Sequence, residues 1–131
     1  MKYNFFGIVE KSKSGYCVYF PDVLGCTSSG ETIENAIKNA GEALSYHLML
    51  MEDYKEDMPK ASDFSKILKE CENEDFVSLF FADTDFIRKK EKNKIVNKTV
   101  TLPEYLVDLG KMKKINFSKL LQQALKKELN V

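Results

Sequence analysis

The sequence is poor in the residues that build metal centres and disulfide scaffolds. It has 131 residues, with three cysteines, one histidine and no tryptophan. The cysteines form no C-x-x-C pair, which argues against a disulfide framework and against a thiolate zinc site. With His47 alone, the chain cannot form a two-histidine metal motif. It also contains neither a G-x-G-x-x-G segment nor a P-loop, so we expect no metal and no cofactor.

Long hydrophobic runs are absent as well. No apolar run approaches the ~20 residues that span a bilayer, and no basic start followed by an apolar stretch signals secretion. Hydrophobic residues make up 44% and charged residues 31% of the chain, which is typical of a folded soluble protein. We therefore expect a cytoplasmic protein that binds no membrane, with one domain or a small domain plus an appendage.

Charge is unevenly distributed although the net charge is zero. Residues 1–87 carry 8 basic and 16 acidic residues, a net of −8, whereas residues 88–131 carry 12 basic and 4 acidic residues, a net of +8. Such asymmetry suggests two units with different partners, and a basic unit suits a polyanion. Two solvated faces that neutralise each other would give the same split, so charge alone leaves both interpretations open.

The first part of the chain predicts three strands and a helix. Runs rich in aromatic and β-branched residues over 3–9 and 16–20, with a short run at 26–28, indicate an antiparallel meander. Thr32 suits the N-cap of a helix that continues to about residue 54. That helix has an apolar stripe at spacings of three and four, namely Ile33, Ala36, Ile37, Ala40, Leu44, Leu48 and Met51.

The segments that follow complete a β-β-β-α-β unit. A short helix is predicted over 64–71, and the apolar run over 76–82 predicts a buried or central strand. Residues 88–94 hold five basic residues and one acidic residue without apolar periodicity, which predicts a mobile connector. The expected organisation is a domain over 1–87, a basic linker over 88–95 and a second domain over 96–131.

The last 36 residues predict one strand and two helices. Val96, Lys98, Val100 and Leu102 alternate with Asn97, Thr99 and Thr101, as in a strand. Pro103 suits the first turn of one helix and Asn116 the cap of the next. Such a unit is too small to bury a core, and its strand has no partner. We therefore expect two copies to pair strand beside strand around a dimer core of Val96, Val100, Leu102, Leu106 and Leu121.

This pattern resembles a ribbon-helix-helix DNA-binding domain. The resemblance rests on N-K-T-V-T-L-P over 97–103 and on N-F-S over 116–118. It implies that the paired strands enter the major groove of double-stranded operator DNA, where Asn97, Thr99 and Thr101 read base edges. It also implies a phosphate clamp at the start of the second helix, formed by Asn116, Phe117 and Ser118. Many relatives have Arg or Lys in place of Asn97 and glycine in place of Lys114.

The stretch over 16–44 resembles the N-terminal domain of HicB antitoxins. Its core is F-P-D-V-L-G-C-T-S-S-G-E-T followed by N-A-G-E-A-L, and M-P-K-A-S over 58–62 fits the segment after the helix in that family. The resemblance implies a partial ribonuclease-H-like domain joined to a helix-turn-helix or ribbon-helix-helix domain. We therefore expect an α+β fold with a β-β-β-α-β domain and a β-α-α domain that dimerises.

Together the two resemblances imply an antitoxin. It would neutralise a HicA-type toxin that cleaves messenger RNA, and it would repress its own operon by binding operator DNA. The acidic unit would face the small basic toxin, although the sequence assigns no toxin-contacting residue. The expected homodimer leaves further pairing of dimers open. The alternative is a stand-alone ribbon-helix-helix repressor whose N-terminal domain senses a ligand.

An enzyme is not expected. A ribonuclease-H-like fold raises that hypothesis, because metal-dependent phosphodiester cleavage needs several converging carboxylates. The candidates Glu10, Asp22 and Asp83 match no such triad in their spacing.

Overall fold

An antiparallel sheet of four strands is the frame of the first part of the chain. The computed structural model describes residues 1–131. The strands are β1 (Lys2–Ser12), β2 (Gly15–Tyr19), β3 (Thr27–Gly30) and β4 (Phe76–Asp83), in the spatial order β3-β2-β1-β4. All neighbouring strands are antiparallel, which confirms the predicted meander of the first three.

Strand β4 lies at the edge of the sheet, so the prediction of a buried or central strand is wrong. Phe80 and Ala82 are buried, but Phe81 between them is 70% exposed. Successive side chains of a strand point to opposite faces. A run that is apolar at every position therefore does not reveal that one of its faces is open to solvent.

Helix α1 (Ile33–Asp53) covers one face of the sheet. It begins where predicted, because the Thr32 hydroxyl oxygen accepts a hydrogen bond from the Asn35 amide at 3.1 Å. Its buried stripe of Ala36, Ala40, Leu44 and Leu48 packs against Phe5, Val9, Val18, Phe20 and Phe80 of the sheet region. The small alanines allow the helix to approach the strands closely.

The opposite face of the sheet is covered only in part, by helix α2 (Phe64–Glu70). Its Ile67 is 1% exposed, and the Phe64 ring lies 5.5 Å from the Phe6 ring, measured between centroids. The loop before α2 is attached to the turn after β2, because the Asp22 carboxylate accepts hydrogen bonds from the Ser62 amide at 2.7 Å and the Ser62 hydroxyl at 2.6 Å.

Helix α3 (Thr84–Lys92) occupies most of the expected linker over 88–95, so the prediction of a mobile connector is wrong for residues 88–92. Asp83 caps the helix by accepting from the Phe86 amide at 3.0 Å, and Ile87 is buried. The helix has no long apolar stripe, and ion pairs attach it to α1 instead. Arg88 lies 2.8 Å from a Glu52 carboxylate oxygen and 2.7 Å from one of Asp53.

Two compact units result, Met1–Lys94 and Ile95–Val131. The second contains helix α4 (Glu104–Met112) and helix α5 (Phe117–Leu129). The expected strand over 96–102 forms no ladder within this chain, since a strand requires a partner strand for its hydrogen bonds. None of the five helices has the length and apolar character needed to cross a membrane.

Candidate functional sites

The second unit carries an open apolar groove of about 730 Å³. Its lining comes from the extended segment before α4 and from both helices: Val100, Leu102, Leu106, Leu109, Ile115, Phe117, Leu120, Leu121 and Ala124. Gly110 is the one buried residue of the unit, and α5 buries none. The unit therefore exposes the side chains that would ordinarily form its core.

Four of the five residues predicted to form a dimer core lie in this groove, which we call the apolar groove. They are Val100, Leu102, Leu106 and Leu121, with exposed fractions between 38% and 51%. Val96 does not line the groove and is 73% exposed. The structure thus brings most of the set together on one surface.

The predicted base readers lie on the extended segment before α4. Asn97, Thr99 and Thr101 are all exposed and none lines the apolar groove. The intervening Lys98 and Val100 do line it. Over residues 97–102, positions that line the groove therefore alternate with positions that do not, and the role of Asn97, Thr99 and Thr101 stays a prediction.

The predicted phosphate clamp occupies the start of α5, but its three residues have different roles. The Asn116 side-chain oxygen accepts a hydrogen bond from the Lys119 amide at 3.1 Å, so it caps the helix. The Phe117 ring packs against Gly110 of α4, where an added Cβ would overlap it. Ser118 lines the apolar groove and is exposed. An anion at this position would therefore be bound by the free backbone amides of the helix terminus.

The turn between α4 and α5 contains a strained residue. Lys114 has φ +54°, a left-handed conformation that glycine adopts without steric cost. A glycine at this position would adopt the same conformation without strain.

An exposed apolar patch lies on the sheet face opposite α1, and sequence reasoning alone does not find it. Phe6 pairs with Leu79 across β1 and β4, Asn4 pairs with Phe81, and Phe64 of α2 contacts Phe6. We call Phe6, Phe64, Leu79 and Phe81 the open-face patch. Phe64 and Leu79 are 48% and 42% exposed. No sequence signal locates it, because residues 79–82 are apolar at every position and only the structure shows that Phe80 and Ala82 are buried while Leu79 and Phe81 are exposed.

Carboxylates gather at another part of the same sheet face. In the ladder of β1 and β2, Tyr19 is paired with Ile8 and Cys17 with Glu10. Ile8 and Glu10 are two positions apart in β1, so Tyr19 and Glu10 lie on the same face of the sheet. Burial raises the pKa of Tyr19, and the negative charges of Glu10, Glu70 and Asp75 raise it further. We call these three carboxylates the acidic corner. No basic residue occurs from Glu70 to Asp75, so the local field is negative.

A polar network attaches α3 to the rest of the first unit. Glu52 accepts hydrogen bonds from the Tyr3 hydroxyl at 2.7 Å and the Thr84 hydroxyl at 3.1 Å, in addition to its contact with Arg88. Burial acts to raise the pKa of Glu52, but the hydrogen bonds from Tyr3, Arg88 and Thr84 outweigh it and hold that pKa below its ordinary value. The same bond to Glu52 raises the pKa of Tyr3 to about 12.

The possible metal ligands and the most buried cysteine can be located in the structure. No group of three or more His, Cys, Asp or Glu side chains is arranged to hold a metal ion. Cys26 is buried, and that burial raises the pKa of its thiol to about 11, so it is protonated at neutral pH. Such a cysteine packs as a small apolar residue.

The fold is therefore mixed α/β, with a four-stranded antiparallel sheet and five helices arranged in two units. Residues 5–124 match the family described as HicB-like antitoxin of bacterial toxin–antitoxin systems. Because this match covers most of the chain, the protein belongs to the HicB-like antitoxins. Its role is accordingly that of an antitoxin, and nothing in it points to catalysis.

Individual relatives agree with this assignment. An uncharacterized 14.9 kDa protein encoded in the rep–hol intergenic region of Haemophilus phage HP1 is 36% identical over 99 residues, covering 76% of this chain and 72% of the relative. The N-terminal domain of the Burkholderia pseudomallei antitoxin HicB is 30% identical and aligns with a TM-score of 0.51 over 62% of this chain and 99% of that chain.

A third likeness extends over both units. A chain of a toxin–antitoxin complex from Streptococcus pneumoniae aligns with a TM-score of 0.58 over 98% of this chain and 99% of that chain. Its sequence is 21% identical, so the likeness concerns the fold.

Proposed function

We propose that this antitoxin binds and neutralises a HicA-type toxin through its first unit and represses its own operon through its second. In this proposal the first unit is a partial ribonuclease-H-like domain and the second a ribbon-helix-helix domain that pairs with a second copy. The observation that carries the proposal is the apolar groove, since a folded unit that leaves its own core open requires a partner to cover it.

Pairing with a second copy suits the groove better than a small ligand does. The groove continues onto the extended segment over 95–102, whose backbone groups form no backbone hydrogen bond within the chain. An antiparallel copy of the same segment would pair those groups and cover Val100 and Leu102 at once. Val100 and Leu102 are about half exposed, so covering each of them stabilises by roughly half of the ~1.5–3 kcal/mol of full burial, and the two-fold symmetry doubles each contribution.

The pairing would also create the DNA-binding surface. Two strands side by side fit the major groove, and their outward side chains would be Asn97, Thr99 and Thr101 from each copy. Asparagine can pair bidentately with adenine, and threonine offers a hydroxyl and a methyl group. The start of α5 would face a phosphate with its free backbone amides.

For the toxin we propose the sheet face opposite α1 as the docking surface. Two features of that face support a basic protein as its occupant. The open-face patch supplies exposed apolar area, and the acidic corner supplies charge complementary to a surface that grips RNA. Solved complexes of related proteins are described as toxin–antitoxin complexes, including one of HicA3 with HicB3.

The docking surface can be tested with two aromatic residues of similar exposure. Phe81, 70% exposed, belongs to the open-face patch, whereas Tyr54, 75% exposed, lies at the end of α1. We expect Phe81→Ser to weaken toxin binding at least tenfold by calorimetry, with no change for Tyr54→Ser. Equal losses for both variants, or a loss for Tyr54→Ser alone, would move the docking surface elsewhere.

The whole function can be tested by growth and reporter expression. The toxin expressed alone should arrest growth, and co-expression with this protein should restore it. A reporter under the upstream region of the gene should be repressed by the intact chain. Continued arrest on co-expression would reject the antitoxin function, and an unrepressed reporter would reject the repressor function.

A further inference from the structure

Helix α3 and the residues just after it present basic side chains that form no ion pair within the chain. Two other cations of α3 are engaged, since Arg88 contacts Glu52 and Lys90 lies 3.5 Å from Glu42. Lys89, Lys92 and the following Lys94 are exposed and take part in no ion pair within the chain. The unused positive charge is therefore concentrated at the C-terminal end of α3 and just beyond it.

Lys89 and Lys92 lie on a helix that is fixed to the rest of the first unit, and Lys94 follows directly after its C-cap. Ile87 and Thr84 are buried, and the Glu52 network attaches the helix to α1 and β1. Asn93 ends the helix in a left-handed conformation with φ +47°. A basic surface on a fixed helix loses less side-chain and backbone freedom on binding than the mobile connector expected from the sequence.

Chain length keeps this surface near the proposed base readers. Lys94 precedes Asn97 by three positions and Lys92 precedes it by five, which limits these Cα separations to about 11 Å and about 18 Å in any arrangement. The major groove is about 12 Å wide and is bordered by phosphates on both sides. When Asn97 reads a base, Lys92 and Lys94 are therefore kept within these distances of it, close to the flanking phosphates, and Lys89 lies one turn before Lys92 on the same helix.

We propose that Lys89, Lys92 and Lys94 form a phosphate-binding surface for the DNA that flanks the bases read by the second unit. The proposal rests on the proposed DNA-binding function and adds a contribution from the first unit. Phosphate contacts strengthen binding to every sequence and release counterions, so they give salt dependence without specificity.

A purely structural explanation exists for the same lysines. Cations in the last turn of a helix stabilise it through the helix dipole. That explanation predicts a lower melting temperature when the lysines are neutralised, with unchanged DNA affinity. Neutralising the lysines therefore lowers DNA affinity if they bind phosphates, and lowers only the melting temperature if they stabilise the helix.

The experiment compares two triple variants of the full chain. Lys89→Gln with Lys92→Gln and Lys94→Gln removes the proposed surface. Lys11→Gln with Lys13→Gln and Lys60→Gln is the control, because it removes the same charge from exposed sites elsewhere on the first unit. Fluorescence anisotropy is measured at several salt concentrations on the upstream region of the gene and on a scrambled duplex.

We expect the first variant to bind both duplexes at least about tenfold more weakly at 0.1 M salt, with its preference for the upstream duplex retained. The slope of log affinity against log salt should fall by about 0.9 for each phosphate that the variant no longer neutralises, and the control should change little. Replacing the same three lysines by arginine should preserve both affinity and slope, because the charge is kept.

Three results would overturn the proposal: affinity and slope equal to those of the wild type, an equal weakening in the control, or a weakening that the arginine variant shares. A failure of the proposed repressor function is recognised separately, since the wild type would then bind both duplexes equally. In that case, the difference in DNA affinity between the two triple variants still tests whether the three lysines bind phosphates.

Discussion

The two units of this protein bury their apolar residues in opposite ways. All sixteen buried hydrophobic side chains belong to the first unit, whereas the second buries only Gly110 and leaves Leu102, Leu106 and Leu121 about half exposed. The first unit can therefore fold from its own contacts, whereas the second leaves its apolar side chains uncovered. This difference is why we propose that the second unit pairs with another copy.

The largest expected effect is the loss of pairing. Val100→Asp would place two unpaired carboxylates in the proposed dimer core, at a cost of several kcal/mol. Met112→Asp is the control, because Met112 is 78% exposed and does not line the apolar groove. Light scattering should show monomers for the first variant and dimers for the second. A stable dimer of the Val100→Asp variant would exclude this core.

A glycine substitution in each unit sharpens the comparison of their packing. Gly110→Ala should destabilise the second unit by about 1–3 kcal/mol, because the new methyl group overlaps the Phe117 ring. Gly41→Ala in α1 meets no atom within 4 Å and should stabilise the first unit by about 0.5–1 kcal/mol. Thermal unfolding monitored by circular dichroism measures both. Equal effects of the same sign would contradict this packing.

The attachment of α3 should depend on pH. The pKa of Glu52 is lowered in the folded protein, so its stabilising contribution is present above the ordinary value of 4.5 and is lost as the pH falls through the lower folded pKa. Glu52→Gln should therefore destabilise the first unit at neutral pH and differ less from the wild type in acid. Denaturant unfolding at several pH values tests this, and a difference in stability that widens in acid would contradict it.

The smallest expected effect concerns the turn between α4 and α5. Lys114→Gly should stabilise the second unit by about 1 kcal/mol, because it relieves the left-handed conformation at φ +54°. Lys113→Gly is the matched control; with φ −85° it should destabilise or leave stability unchanged. The melting temperatures of the two variants, each compared with that of the wild type, test this assignment. A stabilising Lys113→Gly and a neutral Lys114→Gly would refute the assignment of strain.

Features encoded over a few residues are predictable from the sequence. The caps at Thr32 and Asn116 depend on a side chain and an amide three residues away, so the sequence predicts both at the correct position. The three-and-four spacing of α1 likewise places Ala36, Ala40, Leu44 and Leu48 in the core. All the residues that define such a pattern lie in or next to one helix, so the sequence of that segment is enough to predict it.

Features that depend on distant partners are not predictable in this way. Helix α3 is held through Arg88 and Glu52, which are far apart in the sequence, so the local pattern predicts a linker where the structure has a helix. The position of β4 at the edge, and with it the open-face patch, depends on strand order. Because α3 belongs to the first unit, the net charges of the two units are −4 and +4 rather than −8 and +8.

Both the base readers and the toxin-docking surface depend on molecules outside the chain. Alternation and a family resemblance point to Asn97, Thr99 and Thr101, and their role stays a prediction. No sequence pattern points to a toxin-docking residue, because exposed residues on a sheet face become a surface only when the strands are assembled. The structure supplies the open-face patch as a candidate.

The division of labour between the units is tested most directly by a chain that ends at Lys94. This segment contains the whole sheet, α1 and all sixteen buried hydrophobic side chains, so it is expected to fold alone. Sedimentation velocity, alone and with the HicA-type toxin, should show a monomer that forms a stable complex with the toxin. A dimer in the absence of the second unit, or the failure of the folded segment to bind the toxin, would contradict the account.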